Sequence, residues 1–190
     1  MKYDEIINKI GSGDILSEYN HANIITRDNN RDFFQFDCSG FVAWYIGTNG
    51  YLRALAEVKN YLRHTDLLKI NRFYCRDFSA FYSSDLRYWK IHRDVLSATP
   101  EDILVIVYND GNGHMMIVDK VLNRTDNSID LRIVDSTRLL HKNDTRAPNG
   151  SGIGYGEVRL SCDSNGVYYD PNNPTRVPVL VDAYIARPIK

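Results

Sequence analysis

The spacing of apolar and polar residues changes character near Pro100, and the two halves predict different kinds of element. In the first half the apolar positions recur at helical intervals. Residues 3–9 predict a short helix with Ile6, Ile7 and Ile10 on one side, followed over residues 11–37 by a polar, turn-rich approach segment that includes Asp28-Asn29-Asn30. Asp37 is a suitable N-cap for a buried helix over residues 38–46, stopped by Gly47 and Gly50. A further helix is expected over residues 51–63, from Leu52, Leu55, Ala56 and Leu62, and another over residues 74–83, from Phe78, Phe81 and Tyr82. Beyond Pro100 the apolar runs become short, β-branched and separated by Asn/Asp/Gly turns. Strands are expected over residues 103–108, 114–121, 129–134, 154–160, 167–169 and 179–186. Helices followed by strands predict an α+β domain, with N-terminal helices packed on a C-terminal antiparallel sheet.

Composition fits this picture. The chain has 190 residues, 43% hydrophobic and 25% charged, enough apolar material for the core of one globular domain. A formal net charge of -1 provides no global field for nucleic acid or an anionic membrane, and the 13 tyrosines form no basic-aromatic stripe. No nucleic-acid partner is expected. No apolar run reaches transmembrane length, and the N-terminus lacks the apolar core of a signal peptide. The chain is expected to be soluble, and either cytoplasmic or exported by a route other than Sec; a chain that begins after a removed leader would read the same way. The three cysteines, Cys38, Cys75 and Cys162, are widely spaced and make no disulfide framework, which suits a reducing compartment. No Cys/His spacing suggests zinc, and neither metal nor cofactor is expected.

The candidate chemistry lies in FDCSGFV, residues 36–42. A thiol at a helix N-terminus meets free backbone N–H groups and the positive end of the helix dipole, and both favour the thiolate. The same N–H groups can stabilise an oxyanion. Gly40 would allow a substrate or a neighbouring strand to come close. A nucleophilic cysteine also needs a base and a group to hold that base. His114 opens an apolar strand after the turn Asn109-Asp110-Gly111-Asn112-Gly113, and Asp135 closes the next strand, where it can orient the imidazole. The plainer alternative is that Asp37 only caps a helix and Cys38 packs inside it.

FDCSGFV, PEDILVIVYNDGNGHMMIV and VDST together resemble the NlpC family of cysteine peptidases, in the papain-like superfamily that includes CHAP amidases. The resemblance covers roughly residues 36–46 and 99–160. It implies a papain-like fold in a single domain, residues 1–190, with a helical insertion at about 51–98. It assigns Cys38 as nucleophile, His114 as general base and Asp135 as the third, orienting residue. It also implies substrate contacts for Asp37 and Ser39, and a substrate wall to which Tyr19 is the nearest upstream candidate. The later strand in SGIGYGEVRL is similar to a glycine-containing strand of the family. Two positions depart from its pattern: Pro100-Glu101-Asp102 lacks the glycine of the usual PGD turn, and the third residue is aspartate rather than histidine, asparagine or glutamine.

The implied function is cysteine-dependent hydrolysis of an amide, in a peptide or peptidoglycan-fragment substrate, through an acyl-enzyme. Two alternatives stand beside it: a deamidase or acyltransferase using the same three residues, and a non-catalytic binding module. The polar loop STRLLHKNDTRAPNGSG places Ser136 beside the candidate site as a further substrate contact, and His141 there rivals Asp135 as third residue. His21, His64 and His92 read as surface or cap residues, and Cys75 and Cys162 as structural.

Overall fold

The computed structural model of the chain describes residues 3–64, 73–147, 150–171 and 176–190. Helix α1 (Tyr3–Gly11) leads into three short strands, β1 (Ile15–Tyr19), β2 (Ile24–Asp28) and β3 (Arg31–Phe36). These form a small sheet in the order β1-β3-β2, with β1 parallel and β2 antiparallel to β3. Asn29 and Asn30, with φ of 49° and 65°, make the tight turn between β2 and β3. The approach segment is therefore a sheet, whose polar, exposed β2 carries little of the alternation that marks a strand.

Helices α2 (Cys38–Thr48) and α3 (Leu52–His64) follow as expected, while α4 (Asp77–Tyr82) is shorter than its aromatic spacing suggested. The rest of the chain is strands: β4 (Trp89–His92), β5 (Ile103–Val107), β6 (Gly113–Arg124), β7 (Ser128–Thr137), β8 (Gly152–Asp163), β9 (Gly166–Asp170) and β10 (Val179–Pro188). The expected insertion at 51–98 thus holds α3, α4, β4 and a 3-10 turn at Val95–Ser97; residues 65–72 of it lie outside the described residues.

The strand connectivity corrects the expected fold class. Strands β5 to β10 pair antiparallel in the order β10-β5-β6-β7-β8-β9, and β9 pairs back onto the first half of β10. The sheet closes into a six-stranded barrel, and β4 pairs along the second half of β10. A closed barrel with a small accessory sheet and few helices replaces the predicted papain-like layering of helices on a sheet. The physical reason lies in strands such as β5, ILVIV, which are apolar at every position because both faces are buried. Leu104, Ile106, Met116, Val118, Leu131, Ile133 and Leu160 fill one core with their faces turned inward. The alternate residues Ile103, Val105, Met115, Ile117 and Val134 join a second core with Phe34, Phe41, Ile46, Val58 and Phe78 from the helices and the small sheet.

The turn into β5 shows what the missing glycine does. Glu101 has φ of 72°, the left-handed region that a glycine would adopt without strain. Its N–H donates to the Val118 carbonyl at 2.8 Å, and the neighbouring Asp102 carboxylate accepts from Thr99 and Arg187. Glu101→Gly is therefore expected to stabilise the fold by about 0.5–1 kcal/mol, the left-handed strain relieved less the added freedom of the unfolded chain. A urea denaturation midpoint that falls in this variant would contradict the assignment.

Candidate active site

Three elements bring their ends together at one side of the barrel. Asp37 caps α2 with extended backbone, and its Oδ1 accepts the Gly40 N–H at 2.8 Å and the Ser39 hydroxyl at 2.9 Å. Its Oδ2 lies 2.9 Å from His21 Nδ1, and its own N–H donates to Asn23 Oδ1 at 2.9 Å. Gly40 is needed for that last contact, since a Cβ there would stand 1.8 Å from Asn23 Oδ1. The close approach expected at Gly40 is thus made by a side chain of the protein itself. Asn23 and His21 join the site from the β1–β2 connection; no motif marks them, and only the N-cap requirement of Asp37 hints at a partner.

Helix α2 packs on β6 and β7, which places Cys38, its first residue, over the barrel. The Ser136 hydroxyl at the end of β7 donates to the Phe36 carbonyl at 2.6 Å and ties the chain entering the helix to the strand that carries Asp135. Ser136 is fully buried in this bond, so its role is to join strands and not to touch a ligand. Ser39 is also buried, with its hydroxyl on Asp37.

His114, near the start of β6, places Nε2 2.5 Å from Asp135 Oδ2 on β7. With the carboxylate ionised, Nε2–H donates and Nδ1 is left for another partner. The Cys75 thiol, the His114 imidazole and the Met115 backbone N–H all bear on the ionisation of the Cys38 thiol. The thiol of Cys75, then, against the cost of burial, the hydrogen bond and charge of His114, hold the Cys38 pKa well below the ordinary thiol value. Burial opposes a charged imidazole at His114, but hydrogen bonds to Asp135 and Cys38 outweigh it and raise the pKa to about 10. Both shifts favour a thiolate beside an imidazolium at neutral pH.

Asp135 is the hub of a larger network. Its Oδ2 also receives His141 Nε2 at 3.0 Å, and its Oδ1 receives two nitrogens of Arg146, each at 2.9 Å. Burial would raise this carboxyl, but the Arg146 charge, then His141 and His114, hold it well below the usual carboxylate range. His141 does not compete with Asp135 for His114; it packs behind the carboxylate with Nδ1 3.3 Å from the Pro171 carbonyl. The glycine-containing strand β8 makes this possible. A Cβ on Gly154 would stand 2.9 Å from Arg146 Cγ, and one on Gly156 2.5 Å from His141 Cβ. The loop that carries Arg146 and His141 therefore folds back against β8, where these glycines leave room for it. In the sequence Arg146 is only one residue of a polar loop beside the site, because nothing there distinguishes a buried arginine from a solvated one.

The ring nitrogens of His114 and His141 and an oxygen of Asp135 lie within 4.8 Å of one another, which makes them the donors a cation would meet. Oδ2 already accepts from both rings, and Arg146 neutralises the carboxylate from the other side. The set behaves as a hydrogen-bond network. Compared with known proteins, the chain matches no family model, no curated protein and no solved structure. Its chemistry is read from the site itself.

Two cavities meet beside Cys38 and His114. One of about 280 Å³ is lined by Cys38, Cys75, Asp37, Ser39 and His21, and the other, about 340 Å³, by His114, His141, Arg138 and Arg176. Tyr19 stands in the walls of both. Its ring carries the Arg138 guanidinium 5.2 Å from its centroid, and burial, with the nearby Cys38 and Asp37 charges, pushes the phenol up to about 12. Tyr19 thus remains an O–H donor at the cavity mouth. No helix among the described residues is long and apolar enough to cross a membrane.

Proposed function

We propose that the protein is a cysteine-dependent amide hydrolase acting on peptide substrates, with peptidoglycan peptides as the class to which its motifs point. The observation that supports the reading is the His114–Asp135 hydrogen bond beside a thiol at the start of a capped helix, whose ionisation His114 favours. Asp135 orients the ring and stabilises its charge; the Cys38 thiolate attacks the carbonyl carbon, and the first-turn amides of α2 receive the developing oxyanion. His114 then gives its proton to the departing amine, and the acyl group remains on sulfur as a thioester. Water, deprotonated by His114, attacks the thioester; the C–S bond breaks, the acid leaves and the thiolate–imidazolium pair is restored. Tyr19, between the two cavities, is the wall against which the chain on either side of the scissile bond would lie. Asp37 and Ser39 line the smaller cavity but point their polar atoms at each other and at His21, so their contribution is to fix the helix start.

The resemblance of FDCSGFV, the GH-strand and VDST to NlpC-type peptidases supports the choice of a cell-wall peptide, independently of the overall fold. The test is to incubate the protein with muropeptides and to follow the products by mass spectrometry. Hydrolysis adds one water to a peptide bond and yields two fragments. Products that retain the peptide and gain an amine-containing acceptor would mark acyl transfer, and loss of ammonia from a side-chain amide would mark deamidation. No product from any muropeptide would remove the proposed substrate class.

A further inference from the structure

Cys75 has no part in the mechanism above, although it lines the same cavity as the nucleophile. It lies on the turn leading into α4, where the two thiols are close enough to bias each other's ionisation in opposite directions. Both line the same 280 Å³ cavity, which admits a small polar reagent. The position of Cys75 is set by Gly113: a Cβ there would stand 2.5 Å from Cys75 Cβ and 3.0 Å from its sulfur. The glycine before the candidate base is thus what lets a second sulfur reach the Cys38 sulfur. Cys75 is 5% exposed and Cys38 8% exposed, so both thiols are reached through that cavity.

We propose that Cys75 is a resolving thiol, and that peroxide converts Cys38 and Cys75 into a reversible intramolecular disulfide. In the first step the Cys38 thiolate attacks one oxygen of hydrogen peroxide; an S–O bond forms, the O–O bond breaks, and the departing hydroxide leaves as water after taking a proton. Cys38 is oxidised to the sulfenic acid and the peroxide is reduced. In the second step the Cys75 sulfur attacks the Cys38 sulfur. The S–S bond forms, the S–O bond breaks, and the Cys75 proton leaves with the hydroxide as the second water. Two thiols and one peroxide become one disulfide and two waters. Both thiols line one cavity, and closing to a bond of about 2.05 Å is a movement of the turn that bears Cys75. Interaction with the Cys38 thiol, then burial and the Cys38 charge, raise the Cys75 thiol, which keeps it protonated and unreactive until the sulfenic acid forms beside it. The disulfide protects Cys38 from irreversible over-oxidation. That it also silences amide hydrolysis rests on the functional reading given above; the cross-link itself does not.

The experiment treats the reduced full chain with a few equivalents of hydrogen peroxide, blocks free thiols with N-ethylmaleimide and maps the peptides by mass spectrometry. The expected result is a linked Cys38–Cys75 peptide pair, lighter by about two mass units than the two thiols and restored by dithiothreitol, with Cys162 alkylated. In Cys75→Ser the pair is absent, and Cys38 instead gains two oxygens as sulfinic acid, which dithiothreitol does not reverse. Cys38 sulfinic acid in the wild type, at the same rate as in Cys75→Ser and without the cross-link, would overturn the proposal. So would a disulfide that engages Cys162. The wild-type measurement decides the matter even if the serine variant folds poorly, and muropeptide turnover plays no part in it.

Discussion

Cys38→Ala is expected to abolish muropeptide hydrolysis, lowering turnover by about 10⁴-fold or more, while the protein stays folded. The size follows from chemistry: without the sulfur no acyl-enzyme forms, and the oxyanion-binding amides and cavity walls alone give only residual catalysis. The helix does not depend on the thiol, because its start is held by Asp37 through the Gly40 N–H and by Asn23 behind it. Deleting one sulfur from a site that already adjoins a cavity costs about 1 kcal/mol, the low end of large-to-small substitutions. Circular dichroism and a thermal melt alongside the product assay separate the two effects. Retained turnover in Cys38→Ala would remove the cysteine from the mechanism. Within the same assay Asp135→Asn is expected to slow turnover about 100-fold, since the amide can hold the ring but not its charge, and His141→Ala far less. The opposite ranking would make His141 the group that supports the base.

Arg146→Met is expected to produce the largest loss of stability, about 3–5 kcal/mol at pH 7. Asp135 is completely buried, and Arg146 is the only permanently charged side chain that touches it among the described residues. Arg146 also donates to the Gly152 carbonyl at 2.8 Å and to both oxygens of Asp144, so its loss leaves several buried acceptors unpaired. The pH dependence has a definite sign. Asp135 is depressed in the folded state, so its contribution is present above the unfolded carboxyl value of about 3.9 and fades as pH falls through the lower folded value. The deficit of Arg146→Met against wild type should therefore be full at pH 7 and shrink in acid. A deficit under about 1 kcal/mol in urea denaturation would mean that the carboxylate has water or another cation beside it.

How much of this was legible in the sequence depended on whether the governing contact was local. Asp37 before an apolar run is a helix start whatever surrounds it, and α2 begins at Cys38 as expected. The strands after Pro100 were each marked by β-branched runs, and all six have counterparts. Their closure was not legible, because the β9–β10 pairing joins Val167–Tyr169 to Val179–Val181 by backbone bonds that leave no pattern in side chains. Continuous apolar runs hinted at two buried faces, yet the same runs suit a sheet covered by helices. Motifs named Cys38, His114 and Asp135 as candidates, and the structure pairs His114 with Asp135. Their support could not be named from motifs: His21, Asn23, Arg146 and Cys75 come from turns and loops, where a residue's partner is decided by the whole fold. Glu101 is a middle case: the sequence shows the glycine of the turn replaced, but the left-handed backbone at that position is seen only in the structure.

The central claim is that Cys38 is a thiolate made by His114, and the pH dependence of its alkylation tests this most directly. Iodoacetamide labelling of the Cys38 peptide, followed by mass spectrometry from acid to alkaline pH, reports the thiolate fraction at that one sulfur. The account predicts an apparent pKa well below the free-thiol value of about 8.5, and an upward shift in His114→Ala. In the wild type the pair should persist until the imidazolium loses its proton near pH 10. An apparent pKa close to that of a free thiol, unchanged in His114→Ala, would leave Cys38 as a buried helix-start residue and contradict the mechanism.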